Sequence, residues 1–273
     1  MVLVKDITTC ETSAVRRLDQ QLIAEINAIV PNVLVSIEDL NVTATGSSVW
    51  PLVQPPAKEA LRRAINERGR KLQVNSAYRS IAAQLLLYQH AQAGRCGISI
   101  AARPGRSNHQ SGLAIDISDN AGWRPFLERH GWQWFGSSDQ VHFDFKGSGT
   151  QDIRSTAVLA FQRLWNRNNP NSRIAEDGAY GPQTESRLLN SPAEGFGGAP
   201  TPPPARLLRL TEPFMRGDDV RQVQEALVRV GFSLSVDGIY GPRTESAVKQ
   251  FQTDKGLTVD GSVGPQTRAA LGL

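Results

Sequence analysis

Long apolar runs are missing from this sequence. No stretch of about 18 hydrophobic residues occurs in its 273 positions, so no membrane-spanning helix is expected. The amino terminus, MVLVKDITTCETSAVRRLDQ, turns polar after four residues. It has no apolar h-region, so no secretory signal peptide is read there. Cysteine is scarce too: Cys10 and Cys96 are the only two. Neither has the C-x-x-C spacing of a metal site, and the count leaves open whether they pair. Net charge is small, with 30 basic against 26 acidic residues giving +4. From Leu207 to Leu273 eight Lys/Arg balance eight Asp/Glu, so the whole excess lies ahead of that segment. No basic run or aromatic-interleaved stripe is present, which argues against nucleic acid, while the mild excess suits an anionic polymer. What is there is a globular composition, 40% hydrophobic and 21% charged. It is enough chain for one sizeable core and a smaller unit.

The clearest boundary is SPAEGFGGAPTPPPAR, residues 191–206, with five prolines in sixteen positions and glycines between them. Such a stretch holds neither a helix nor a central strand and reads as a semi-rigid linker. Repetition flanks it. EDGAYGPQTES (176–186) recurs as VDGIYGPRTES (236–246), with a looser copy, VDGSVGPQTRA, at 259–269. Asp-Gly supplies a turn with positive φ, and Gly-Pro starts a helix with proline in its first turn. Val220, Val223, Leu227 and Val230 precede the second copy as a helical stripe, and Ala247, Val248 and Phe251 continue one after it. Residues 207–273 therefore read as three short helices joined by two such turns, and 152–190 as half of the same design. Ahead of these, SAVRRLDQQLIAEINAIV, PPAKEALRRAINERG and SIAAQLLLYQHAQ have helical spacing, whereas KLQVNSAYR, GLAIDIS and QVHFDFK alternate as strands. Helices followed by antiparallel strands predict an α+β domain rather than a βαβ series.

Two of the predicted strands carry ligand-type side chains. In GLAIDIS, Leu113, Ile115 and Ile117 share one face and Ala114, Asp116 and Ser118 the other. In QVHFDF, Val141, Phe143 and Phe145 are expected to face the core, with His142 and Asp144 opposite. A carboxylate between isoleucines must be exposed, hydrogen-bonded or bound to a cation. His109, at the head of the first strand, adds a third ligand type. Two imidazoles and one carboxylate form a three-ligand zinc set that leaves a position for water. Asp139, three residues before His142, could take a proton from that water. Arg79, in NSAYRS, could stabilise a developing oxyanion or grip a substrate carboxylate. His90 and His130 lack such neighbours and read as structural.

The set Ser107, His109, Gly112, Ala114, Asp116, then Asp139 and His142, with AYRS upstream, resembles the M15 peptidase family. That family includes zinc D-alanyl-D-alanine carboxypeptidases of the VanY kind and phage L-alanyl-D-glutamate endopeptidases. The resemblance covers roughly residues 50–146. It implies one zinc per chain on His109, Asp116 and His142, Asp139 as general base, Arg79 toward the scissile carbonyl, and Ser107 and Gln84 as substrate-side residues. The base position is Asp in D-x-x-H, where some members have Glu. Through MRGDDVRQVQEAL, VDGIYGPRTESAVKQFQ and VDGSVGPQTRAAL, residues 207–273 resemble the peptidoglycan-binding type 1 module. The expected organisation is a zinc peptidase domain with a small antiparallel sheet (1–150), a partial helical extension (151–190), the linker (191–206) and a three-helix wall-binding domain (207–273). Together these imply a monomeric peptidase acting on the stem peptide of bacterial peptidoglycan, in the cell wall, periplasm or outside the cell. The activity implied is most like a D-alanyl-D-alanine carboxypeptidase. An L-alanyl-D-glutamate endopeptidase is the nearest rival, and a non-catalytic zinc-containing wall-binding protein is the rival from another class.

Overall fold

The computed structural model describes residues 2–197, 207–212 and 214–273. The chain divides into two compact units, Met1–Pro203 and Pro204–Leu273. The first begins with helix α1 (Arg16–Ile29) and three short strands, β1 (Val35–Ser36), β2 (Val42–Ala44) and β3 (Leu52–Val53). Helix α2 (Pro55–Arg68) leads to β4 (Leu72–Ser76), α3 (Ile81–Gln92) and β5 (Ala114–Ile117). Then come α4 (Asn120–Arg129), β6 (Trp132–Trp134) and β7 (His142–Phe145), and a closing helical pair, α5 (Arg154–Asn168) and α6 (Pro182–Leu189).

The main sheet has the order β2-β4-β5-β7-β6. Its four central and edge strands β4, β5, β7 and β6 pair antiparallel, as the α+β reading expects, while β2 adds a parallel edge against β4. One face of this sheet is apolar. Ile115, Ile117, Phe143 and Phe145 share a buried cluster with Ala57, Leu61 and Ala64 of α2 and Trp123 and Leu127 of α4. Helix α2 forms because two prolines occupy its first turn and its small and aliphatic residues recur every three or four positions on the sheet side. Helix α4 is absent from the sequence reading because Pro125 lies inside it, removing a backbone donor and breaking the helical signal. Val141, expected in the core, is 40% exposed. It precedes the first residue of β7, so the strand's alternation does not reach it.

A second core joins α1, α3, α5 and α6. Leu18, Leu22 and Ile26 meet Leu85, Leu86, Val158, Phe161, Trp165 and Leu188 there. The stretch read as a linker over 191–206 is packed at its start: Ala193 and Phe196 are buried, and Pro192 bridges to Leu3. Gln21 clamps Phe196 from both sides, its Oε1 accepting from the Phe196 amide and its Nε2 donating to the Phe196 carbonyl, each at 3.0 Å. The remainder of that stretch, 198–206, lies outside the described residues. Cys10 and Cys96 form a disulfide with Cα atoms 5.4 Å apart. By the chain-entropy model, closing a loop of this size restricts the unfolded chain by about 4–5 kcal/mol. Among the described residues no helix is long and apolar enough to cross a membrane.

The second unit consists of β8 (Met215–Arg216), α7 (Asp218–Arg229), β9 (Ile239–Tyr240), α8 (Pro242–Asp254) and α9 (Pro265–Leu271). Its core is built by Val220, Val223, Leu227, Tyr240, Val248 and Phe251. Val230, expected on the α7 stripe, is 48% exposed because the helix ends before it. The repeat seen in sequence is a repeat of hydrogen bonds. Gln224 Nε2 donates to Asp237 Oδ1 (2.8 Å), the Ile239 carbonyl (3.1 Å) and Thr244 Oγ1 (3.1 Å), while its Oε1 accepts from the Gly238 amide (2.7 Å). Gln252 makes the same four bonds to Asp260, Ser262, Thr267 and Gly261. So does Gln162 in the first unit, to Asp177, Ala179, Thr184 and Gly178. A side-chain amide thus satisfies the turn's buried donors and acceptors, which would otherwise each cost about 1–3 kcal/mol. At Gly178, φ is +68° and a Cβ would lie 2.9 Å from the Ser155 carbonyl oxygen, so only glycine fits.

One buried acid stands out. Asp19 of α1 accepts from Trp50 Nε1 at 2.9 Å and from the Ser80 hydroxyl, and Ser80 in turn caps α3 through the Ala82 and Ala83 amides. Burial pushes the Asp19 carboxyl up to about 7, against the bonds from Ser80 and Trp50 and the charge of Arg16. The folded protein therefore holds a proton that the unfolded chain releases near pH 4. That contribution to stability is full below about pH 4 and is lost as pH rises through 7. Asp19→Asn imitates the protonated form. Its melting temperature is expected to gain on wild type as pH rises from about 4 to about 7 and to hold a constant lead above that. A difference independent of pH across that window would show that Asp19 does not titrate there.

Candidate metal centre and active site

Strand β5 lies between β4 and β7, and the register puts Asp116 directly opposite Ser76 on one side and His142 on the other. With the apolar face of the sheet committed to α2 and α4, these three side chains form one rank on the other face. His109 arrives on a 3₁₀ turn, Asn108–Ser111, that ends at Gly112 with φ +67°. That φ is strained for any side chain, and a Cβ at Gly112 would also crowd Leu34 Cδ2 at 2.7 Å, so glycine suits the end of this turn.

One ligand-type atom from each of His109, Asp116 and His142 lies within 4.8 Å of the others. His109 Nδ1 is 2.7 Å from the Ala77 carbonyl, an acceptor, so this nitrogen carries the proton and Nε2 is left facing Asp116 Oδ1 at 3.3 Å. His142 Nδ1 faces the same oxygen at 2.9 Å and His109 Nε2 at 3.2 Å. Two imidazole nitrogens and a carboxylate oxygen thus converge on one point, a donor set that suits zinc.

Charge is strongly coupled here. Burial alone would raise the Asp116 carboxyl, but His109, His142 and Arg79 outweigh it and hold the group well below the usual carboxylate range. Burial and Arg79 lower His109. For His142 burial is opposed by bonds to Asp116 and Asp144, and the ring is carried up to about 9. A metal ion must displace that proton, so affinity rises with pH.

Arg79 follows β4, with Nη2 donating to Ser76 Oγ at 3.0 Å and reaching Asp116 Oδ2 at 3.5 Å, and Nη1 donating to Gln84 Oε1 at 3.2 Å. Burial lowers its pKa against the opposing charges of Asp116 and Asp139, so Asp139 acts electrostatically on this cluster. Asp139 itself is exposed on the β6–β7 hairpin, its carbonyl accepting from the His142 amide at 3.3 Å. Gln84 is only 1% exposed and spends its amide on Arg79 and the Ala102 carbonyl. Its place is behind Arg79 rather than on an open surface. Ser107 is buried at the start of the His109 turn, where its carbonyl accepts from the Gln110 amide. Three neighbours escaped the sequence reading as site residues. Ser76 and Asn108 carry no motif of their own, and Phe135, 57% exposed, packs edge-on against His142 with ring centroids 5.2 Å apart. The signal for Asp144 was available: it lies two residues beyond His142 on the same strand face.

Residues 54–148 match the D-alanyl-D-alanine carboxypeptidase (VanY) family, and residues 216–271 match the putative peptidoglycan binding domain family. The chain is also similar to curated proteins. The N-acetylmuramoyl-L-alanine amidase CwlL of Bacillus licheniformis is 39% identical over 98 residues, 31% of this chain and 27% of that protein. The amidase CwlH of Bacillus subtilis (strain 168) is 34% identical over 125 residues, 38% of this chain and 50% of that one. XlyB, an amidase of the same organism, is 34% identical over 118 residues, 41% and 36% of the two chains. The chain spans half or less of the length of each.

With one convergent donor set among the described residues, the purified protein is expected to hold about one zinc ion per chain by elemental analysis. His109→Ala and His142→Ala are each expected to abolish that binding. Stoichiometric zinc in either variant would remove that histidine from the ligand set.

Proposed function

We propose that this chain, a member of the VanY family of M15 peptidases that also carries a peptidoglycan-binding domain, hydrolyses a peptide bond in the stem peptide of bacterial peptidoglycan. Its action is most like that of a D-alanyl-D-alanine carboxypeptidase. The observation that carries the reading is the convergence of His109, Asp116 and His142 beside a half-buried arginine, Arg79. In this reading His109, Asp116 and His142 hold zinc, which when bound supplies Lewis acidity toward a carbonyl oxygen and water.

The remaining roles belong to the chain's own side chains. Asp139 accepts a proton from the attacking water and returns it to the leaving amine. Arg79, braced by Ser76 and Gln84, offers fixed donors to the developing oxyanion, a contribution that exceeds an equivalent contact in water because the guanidinium needs no reorganisation. The C-terminal domain raises the local concentration of substrate by holding the enzyme on the wall. A wall location outside the cytoplasm agrees with the disulfide between Cys10 and Cys96.

The relatives' names favour a second reading, cleavage of the amide between N-acetylmuramic acid and L-alanine. Mass spectrometry of muropeptides after digestion distinguishes the outcomes. Loss of a single terminal alanine is expected. A stem severed between L-alanine and D-glutamate would mean an endopeptidase, a whole stem freed from its sugar would mean an amidase, and no cleavage by zinc-loaded protein would leave a binding protein.

Asp139→Asn separates the base from the ligands. It keeps size and reach but accepts no proton, so zinc content is expected to stay at the wild-type level while turnover falls by about 10²–10⁴-fold. Unchanged turnover would exclude Asp139 as the base.

A further inference from the structure

We propose that Asp144 is the positioning residue of His142: its carboxylate, itself oriented by Asn108 and Lys146, fixes the ring so that Nδ1 faces the metal site. The proposal rests on the reading of His109, Asp116 and His142 as zinc ligands.

An imidazole that gives one nitrogen to a metal must carry its proton on the other, and the partner of that second nitrogen sets the tautomer and the ring plane. In His109 the partner is a backbone carbonyl, that of Ala77. In His142 it is a side chain: Nε2 lies 3.0 Å from Asp144 Oδ1, while Nδ1 points at Asp116 and His109. The two residues are neighbours on one face of β7, and the sheet register sets Ala114 opposite Asp144. A methyl group at that position leaves room above the strand for Asn108 to reach in.

Asp144 is only 7% exposed, and each of its oxygens has a donor besides the ring. Asn108 Nδ2 donates to Oδ1 at 2.9 Å and Lys146 Nζ to Oδ2 at 3.1 Å. Asn108 is oriented in turn. Arg154, the first residue of α5, directs Nη1 at the Arg106 carbonyl (3.3 Å) and Asn108 Oδ1 (3.5 Å), leaving the Asn108 amide nitrogen for Asp144. Asp152 grips Arg154 through Nε and Nη2 at 2.8 and 2.6 Å. A chain of four side chains, Arg154, Asn108, Asp144 and His142, therefore ties the ligand set to the α5–α6 hairpin. A carboxylate so occupied is suited to holding a ring still rather than to collecting a proton from substrate water.

Chelator competition on the full-length protein measures zinc affinity directly. Asp144→Ala is expected to weaken zinc binding by about 10–100-fold. Asp144→Asn, which retains an acceptor oxygen for the ring, is expected to weaken it less. In zinc-loaded wild type, ¹⁵N NMR of the histidines is expected to show His142 protonated at Nε2 and metal-bound at Nδ1. The reverse assignment would overturn the proposal whether or not the variants fold. So would Asp144→Ala binding zinc within twofold of wild type, including the case in which only its turnover falls, which would make Asp144 the proton acceptor. Wild-type protein that binds no zinc would overturn the underlying ligand reading as well, whereas the other results overturn the positioning role alone.

Discussion

A carboxylate set in the middle of a sheet is the constraint around which the first unit is arranged. Left unpaired, Asp116 would cost several kcal/mol. It is tolerated because the segments on either side deliver partners: Arg79, just beyond the end of β4, and His142, in register on β7. His109 closes the third side on its own turn. Each of these positions is usable only because the opposite face of the same strands is sealed by α2 and α4. A shift of one residue in the β5–β7 register would send Asp116 or His142 into that apolar layer and Ile117 or Phe143 out of it. The hydrophobic packing and the polar cluster are therefore two results of one alternation.

The second organising device is the glutamine clasp. Three helix–turn–helix units use the same side-chain types, Gln, Asp, Thr and a turn glycine, to close the same turn. Because the clasp satisfies its polar groups internally, the outer surface of the unit is free to be used in different ways. Two copies share the core of the C-terminal unit. The third is built into the first unit, where Arg103 bridges to Glu185 at 2.8 Å and lies over the Tyr180 ring. The half-repeat in the sequence is thus a whole structural unit whose second face is covered by α1 and α3 instead of by another copy.

For the proposed reaction, this arrangement separates rigid parts from adaptable ones. The ligand-type residues lie on strands or on a turn pinned by backbone bonds, where angular freedom is small. Asp139 and Phe135 occur at the exposed β6–β7 hairpin, the part of the site best placed to meet different stem peptides. Bond selectivity among wall hydrolases of this kind would follow from such surfaces more than from the donor set, because the donor set is indifferent to what lies beyond the scissile carbonyl.

The sequence by itself determined the period-two strands GLAIDIS and QVHFDF, the three long helices before them, and the repeated Asp-Gly/Gly-Pro turns, since each is a local pattern in which side-chain spacing mirrors backbone geometry. It also marked His109, Asp116 and His142 as ligand types sharing polar faces. It did not reveal α4, whose proline masks the helical pattern, or β6, whose three residues are too few to display a period. Only the tertiary structure decided that Cys10 meets Cys96 across 86 positions, that Gln84 lies behind Arg79, and that Asn108 and Asp144 brace one ring of the cluster. The disulfide and the Asn108–Asp144 bond join segments distant along the chain, and composition and spacing record which groups a segment offers but not which segment comes to meet it. Gln84 is only five residues from Arg79, but its burial depends on the Ala102 carbonyl that receives its amide.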